Sequence, residues 1–135
     1  MSLMTFPTTV LGPLEWRVLD ALWRRGVPGT VRDLQPEFQD IAYTTLMTTL
    51  DRLFRKEVLS RTKAGRAFVY EPLQSRAAFD SHRATRALLT AVERGGGARP
   101  VLSCFVEAIG NHDEALLTEL ETLVRARRAE RTPQP

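Results

Sequence analysis

The sequence predicts a mainly α fold with a small β component (α+β), in which a mixed N-terminal part precedes a purely helical C-terminal part. Three observations predict it. Apolar residues recur at helical spacing in three stretches between positions 13 and 56. A turn-linked pair of strand-like segments follows at 58–71, and from 75 to 130 only helical periodicity remains. At 135 residues the chain can bury a real core, and its 43% apolar and 26% charged residues exclude disordered and fibrous classes.

The first helix opens at Pro13, where a missing N–H costs nothing, and Leu14, Val18 and Leu22 mark its buried stripe. Trp16, Leu19 and Trp23 widen that stripe, and Gly26-Val27-Pro28-Gly29 stops the helix after Arg25. Thr30 caps a short second helix, which Pro36 ends or bends. A third helix runs from about 41 to 56 on the stripe Leu46, Leu50, Leu53 and Phe54. Its other face carries Tyr43, Thr44, Thr45, Thr48 and Thr49. Threonine is a mediocre helix former, so something other than helix stability selects this cluster. Residues 58–62 and 67–71 form a hairpin through Lys63-Ala64-Gly65-Arg66, with Gly65 free to adopt the positive φ of the turn.

Ser75 caps the next helix, which carries Ala78, Phe79, Leu88, Leu89 and Val92 and breaks at Gly95-Gly96-Gly97. Val101, Leu102, Phe105 and Ile109 form the following stripe, and Gly110 is expected to end it. Asn111 with Glu114 gives a capping-box-like start to the last helix, which carries Leu116, Leu117, Leu120, Leu123 and Val124. The expected organisation is an N-terminal domain at 11–73, a helical region at 74–130 and a flexible tail at 131–135.

Catalytic chemistry finds no support. The chain has no Gly-rich phosphate loop, no His-Glu-x-x-His and no G-x-S-x-G. Cys104, the single cysteine, excludes an internal disulfide and a cysteine-built zinc site; within its apolar stripe it reads as a buried structural residue. His82 and His112 read as solvated. No metal and no cofactor are expected. The longest uncharged run, Met1–Leu14, contains two prolines and falls short of the roughly 20 apolar residues of a membrane span. It also lacks the basic start of a secretory signal, so the expectation is a cytoplasmic protein without a membrane partner.

Charge placement says more. Between Arg52 and Arg66 stand six basic residues and one acid, a local balance of +5 against +3 for the whole chain. Single arginines at helix ends and hairpin tips are often merely solvated, and they also complement the helix dipole. Their combination with a polar helix and a basic hairpin is the pattern of a winged helix-turn-helix. The third helix would enter the major groove of double-stranded DNA, with Thr44, Thr45 and Thr48 at base edges. Tyr43, Arg52 and Arg55 would hold phosphates, and Arg61, Lys63 and Arg66 would act from the wing. Two other readings stay open on the residues alone: a winged helix that docks an acidic protein, and an effector-gated regulator.

The motifs carry a resemblance. Leu14-Glu15-Trp16-Arg17-Val18-Leu19-Asp20-Ala21-Leu22-Trp23 resembles the opening helix of the BlaI/MecI/CopY family of penicillinase repressors, with its x-E-W-x-V-M-x-x-x-W pattern. Val31-Arg32-Asp33-Leu34 sits where that family's second helix begins. Tyr43–Leu53 resembles its recognition helix. Lys56-Glu57-Val58-Leu59 and Val69-Tyr70-Glu71-Pro72-Leu73 resemble the K-K-G-hydrophobic start and Y-x-Y-x-P end of its wing. The likeness runs from about residue 11 to 125 and is nearest the actinobacterial-type branch.

What the resemblance implies is a homodimeric repressor on a pseudo-palindromic operator. Its dimer would form through Leu88, Leu89, Val101, Leu102, Phe105, Ile109, Leu116, Leu117, Leu120, Leu123 and Val124. Thr44 and Met47 stand where better-known members carry Lys or Arg, which implies a different operator. Penicillinase repressors are inactivated at an Asn-Phe bond by a protease under an upstream sensor. Here Cys104-Phe105 holds that place without the asparagine, and no sensor protease is specified. The cysteine-rich terminal motif of the copper-sensing branch is absent.

Overall fold

The computed structural model describes residues 10–131; the last four residues of the expected flexible tail lie outside the described residues. The chain divides into two compact units between Arg86 and Ala87.

In the first unit, α1 (Pro13–Arg25) begins where the sequence places it. Glu15 reaches back to accept the backbone N–H of Gly12 at 2.8 Å, and Gly26 closes the helix in the left-handed conformation, φ 74°. The short α2 (Val31–Leu34) starts with a reciprocal capping box. Thr30 Oγ1 accepts the Asp33 N–H at 3.0 Å while Asp33 Oδ2 accepts the Thr30 N–H at 2.9 Å. Pro36 bends the chain into a 3₁₀ turn, Gln35–Phe38, rather than ending the helical path. Next comes α3 (Tyr43–Arg55), shorter than expected because Ala42 is extended and serves as its N-cap.

Strands β1 (Leu59–Ala64) and β2 (Ala67–Pro72) pair antiparallel, with Arg61 opposite Tyr70 and Lys63 opposite Phe68. The strands run further into the turn than expected, leaving Gly65-Arg66 alone to link them. Gly65 at φ 65° meets the first-position requirement of a type II′ hairpin. Gly29 exchanges two backbone hydrogen bonds with Tyr70, 2.9 and 2.8 Å, which fastens the entrance of α2 to the hairpin.

Val18, Leu19 and Leu22 from α1, Leu34, Phe38, Leu46, Leu50 and Leu53 from the middle of the unit, and Leu59 and Tyr70 from the hairpin are all buried. They form one core. The start of α4 (Arg76–Glu93) joins it through Phe79, which packs edge-on against Trp16 with ring centroids 5.7 Å apart. Trp23 Nε1 donates to the Gln74 carbonyl at 2.9 Å. These contacts explain why the division between units falls within α4 and not at residue 74. They also correct the solvated reading of His82. It is half-buried, with Nδ1 2.7 Å from Gln74 Nε2.

The second unit holds the end of α4, α5 (Ala98–His112) and α6 (Glu114–Arg131). Gly110 does not end α5. It lies inside the helix because α6 approaches there: a Cβ at Gly110 would lie 2.9 Å from Leu117 Cδ1. The cap of α6 is accordingly Asp113, whose Oδ1 accepts the Ala115 N–H at 3.0 Å, and not Asn111. Cys104 is exposed, correcting the buried reading, since with Leu102 and Phe105 it lies on the part of α5 that stays open. Leu102, Phe105, Val106, Leu116, Leu123 and Val124 are exposed as well, and neither α5 nor α6 contains a buried residue among those described.

Candidate nucleic-acid interface

Helical periodicity divides α3 cleanly. Leu46, Leu50 and Leu53 are buried, while Tyr43, Thr44, Thr45, Met47, Thr48, Arg52 and Arg55 are exposed. The threonines are not equivalent. Thr49 is buried and its hydroxyl donates to the Thr45 carbonyl at 2.8 Å, an internal bond that satisfies it. The other three keep their hydroxyls and methyls on the open face. Thr44, Thr45, Thr48 and Arg52 share a groove of about 470 Å³ with Gly12–Glu15 at the start of α1.

Glu15 anchors that groove. Its Oε1 accepts Lys56 Nζ and the Gly12 N–H, each at 2.8 Å, and so ties the start of α1 to the end of α3. Burial works to raise its pKa, but the Lys56 hydrogen bond, the Gly12 N–H and the charges of Lys56 and Arg52 outweigh burial and hold the carboxyl below its ordinary value.

The six basic residues of the 52–66 stretch fall into two groups. Lys56 is committed to Glu15, while Arg55 and Arg61 both pair with Asp51, at 2.7 and 3.0 Å. Arg61 is also stacked over Phe54 and Phe68, its guanidinium carbon 4.0 Å from each ring centroid. The Asp51 carboxyl is held below its ordinary value chiefly by the Arg55 hydrogen bond; burial opposes this and Arg61 adds to it. Arg52, Lys63 and Arg66 are exposed and enter no ion pair among the described residues. Arg55 remains 72% exposed, so its surface pair with Asp51 is weak and exchangeable.

Thus the structure brings Thr44, Thr45, Thr48 and Arg52 together at one groove and puts Lys63 and Arg66 at the far end of the hairpin. Arg61 is drawn inward. Sequence reasoning missed Asp51, Phe54 and Phe68 as its partners. The Asp51–Arg55 spacing of four was the available signal, whereas the Arg61 contacts depend on hairpin register. Val106 was likewise missed on the exposed face of α5. The Cys104–Phe105 bond lies in mid-α5 with both side chains exposed. Among the described residues no cluster of acidic, histidine or cysteine side chains could hold a metal ion, and no helix is long and apolar enough to cross a membrane.

Three helices with a polar, solvent-facing third member and a basic two-stranded hairpin define a winged helix-turn-helix protein. Residues 11–126 match the model of the penicillinase repressor family. The transcriptional regulator BlaI of Mycobacterium tuberculosis, represented by strains CDC 1551 and H37Rv, is 39% identical over 121 residues, covering 84% of this chain and 86% of that protein. A solved structure of a point mutant of Lactococcus lactis ZitR aligns over 92% of this chain and 77% of its own, at TM-score 0.43 and 13% identity. The chain belongs to the penicillinase repressor family, and it is accordingly a DNA-binding transcriptional regulator and not an enzyme.

Proposed function

We propose that this protein is a homodimeric repressor that blocks transcription by occupying a pseudo-palindromic operator, with α3 in the major groove. The observation that carries the reading is the exposed face of α3, where three threonines and Met47 stand beside the uncommitted Arg52. Threonine hydroxyls exchange hydrogen bonds with base edges, while threonine methyls and the Met47 side chain suit the thymine methyl. Tyr43, Arg52 and Arg55 fix the register on phosphates, and Lys63 and Arg66 extend the grip from the wing.

The dimer is supported by the exposed apolar residues of α5 and α6, which a helix pair of this length cannot cover by itself. A twofold axis then presents two α3 helices to half-sites one DNA turn apart, about 34 Å, or a multiple of it. The test is fluorescence anisotropy on the DNA upstream of the protein's own gene and on a scrambled duplex, across several salt concentrations. The reading expects the upstream DNA to bind tighter by about 10³ or more, with one dimer per site. No binding to either duplex overturns it. Equal, steeply salt-dependent binding to both removes the claim of operator specificity.

A further inference from the structure

We propose that Arg61 is a wing-positioning residue, holding the hairpin at the angle against α3 from which Lys63 and Arg66 can reach the DNA backbone. The inference rests on the DNA-binding reading, and it gives Arg61 a different role from the phosphate contact that its charge suggests. Its guanidinium carbon lies over two rings, Phe54 of α3 and Phe68 of β2, 4.0 Å from either centroid. Its Nη1 donates to Asp51 Oδ1 at 3.0 Å. Only 21% of the side chain is exposed, against 72% for Arg55. A two-stranded hairpin is marginal by itself, so its orientation has to come from contacts with the body of the domain. Leu59 and Tyr70 supply them at its base. Arg61 supplies one further out, to Phe54 and Asp51 of α3, while Phe68, diagonally across the ladder, holds the same guanidinium from within the hairpin. Lys63 is two residues beyond Arg61 on the same face of β1, with Nζ 5.8 Å from the Phe68 ring. Lysine could not take the place of Arg61, because a compact ammonium neither stacks over two rings nor presents a planar fork to Asp51.

The experiment uses a duplex enriched by the wild-type protein from a random-sequence pool, with affinity measured by anisotropy against salt. Phe68→Leu changes no charge, yet it should weaken binding about tenfold and lower the salt slope by about 1, as though a wing phosphate contact had gone. Arg61→Lys should do the same. Adding Lys63→Ala to either variant should cost much less than Lys63→Ala alone, a non-additivity that a simple loss of stability does not produce. The proposal is overturned if Phe68→Leu keeps wild-type affinity and slope, or if Arg61→Lys binds like wild type while Arg61→Gln does not. Failure of the wild-type protein to enrich any duplex would refute the DNA-binding reading instead. Hydrogen exchange then decides the positioning role: faster exchange at Thr62 and Val69 in Arg61→Lys supports it, and unchanged exchange overturns it.

Discussion

Gly26 and Glu57 adopt the same left-handed backbone, at φ 74° and 63°, and only one of them is suited to it. Gly26 meets nothing within 4 Å of its would-be Cβ, so Gly26→Ala is a purely conformational change. It should destabilise the protein by about 1 kcal/mol in chemical denaturation. Glu57 bears the corresponding strain where the chain leaves α3 for β1, and Glu57→Gly should stabilise by about 0.5–1 kcal/mol. A fall in midpoint for Glu57→Gly would show that its side chain makes a compensating contact. Glu15 provides a pH test at the same scale. Its folded pKa lies below the ordinary 4.5, so its contribution is fully present above that value and is lost as pH falls through the lowered one. Glu15→Gln should therefore cost about 2 kcal/mol at neutral pH, and the gap to wild type should close as the pH falls below 4.5 through the lowered pKa. A gap independent of pH would mean that packing, not charge, is what Glu15 supplies.

Among the elements, the proposed reading assigns base reading and backbone grip to different residues of α3. Thr48→Ala should leave the thermal midpoint within about 1 °C and change which base is preferred at one operator position, with little effect on random DNA. Arg52→Ala should weaken binding to every sequence and lower the salt slope by about 1. Equal losses on operator and random DNA for Thr48→Ala would remove its assigned role. Much of this element was legible beforehand, because a 3.6-residue period separates Leu46, Leu50 and Leu53 from the threonines without further information. What period alone cannot show is which polar residues are already occupied. Thr49 is spent on the Thr45 carbonyl, and Arg61 is stacked, through contacts that follow from packing and hairpin register. The end of α5 was misplaced for a related reason. Gly110 reads as a helix terminator in sequence, but its missing side chain is used for the close approach of Leu117.

For the whole molecule, the decisive contrast is between a first unit with a buried core and a second whose helices α5 and α6 bury no described residue. The first can stand by its own packing. The second has an incentive to associate, because Leu102, Phe105, Val106, Leu116, Leu123 and Val124 remain in water within a single chain. Dimerisation through α5 and α6 would then make the stability of this unit depend on protein concentration, while the wing domain's would not. Leu123, 57% exposed in the single chain, is the sharpest probe. Leu123→Glu would place a carboxylate in the apolar contact and should weaken the dimer by about a hundredfold or more in sedimentation equilibrium. Since the buried core of the first unit runs from Leu11 to Phe79, the denaturation midpoint of the wing domain should stay put. Operator affinity should nevertheless fall steeply, because each monomer then engages one half-site without the effective concentration that the dimer gives the second. A Leu123→Glu protein that remains dimeric would move the interface off this face of α6. One that becomes monomeric but binds the operator as tightly as wild type would show that a single winged helix suffices.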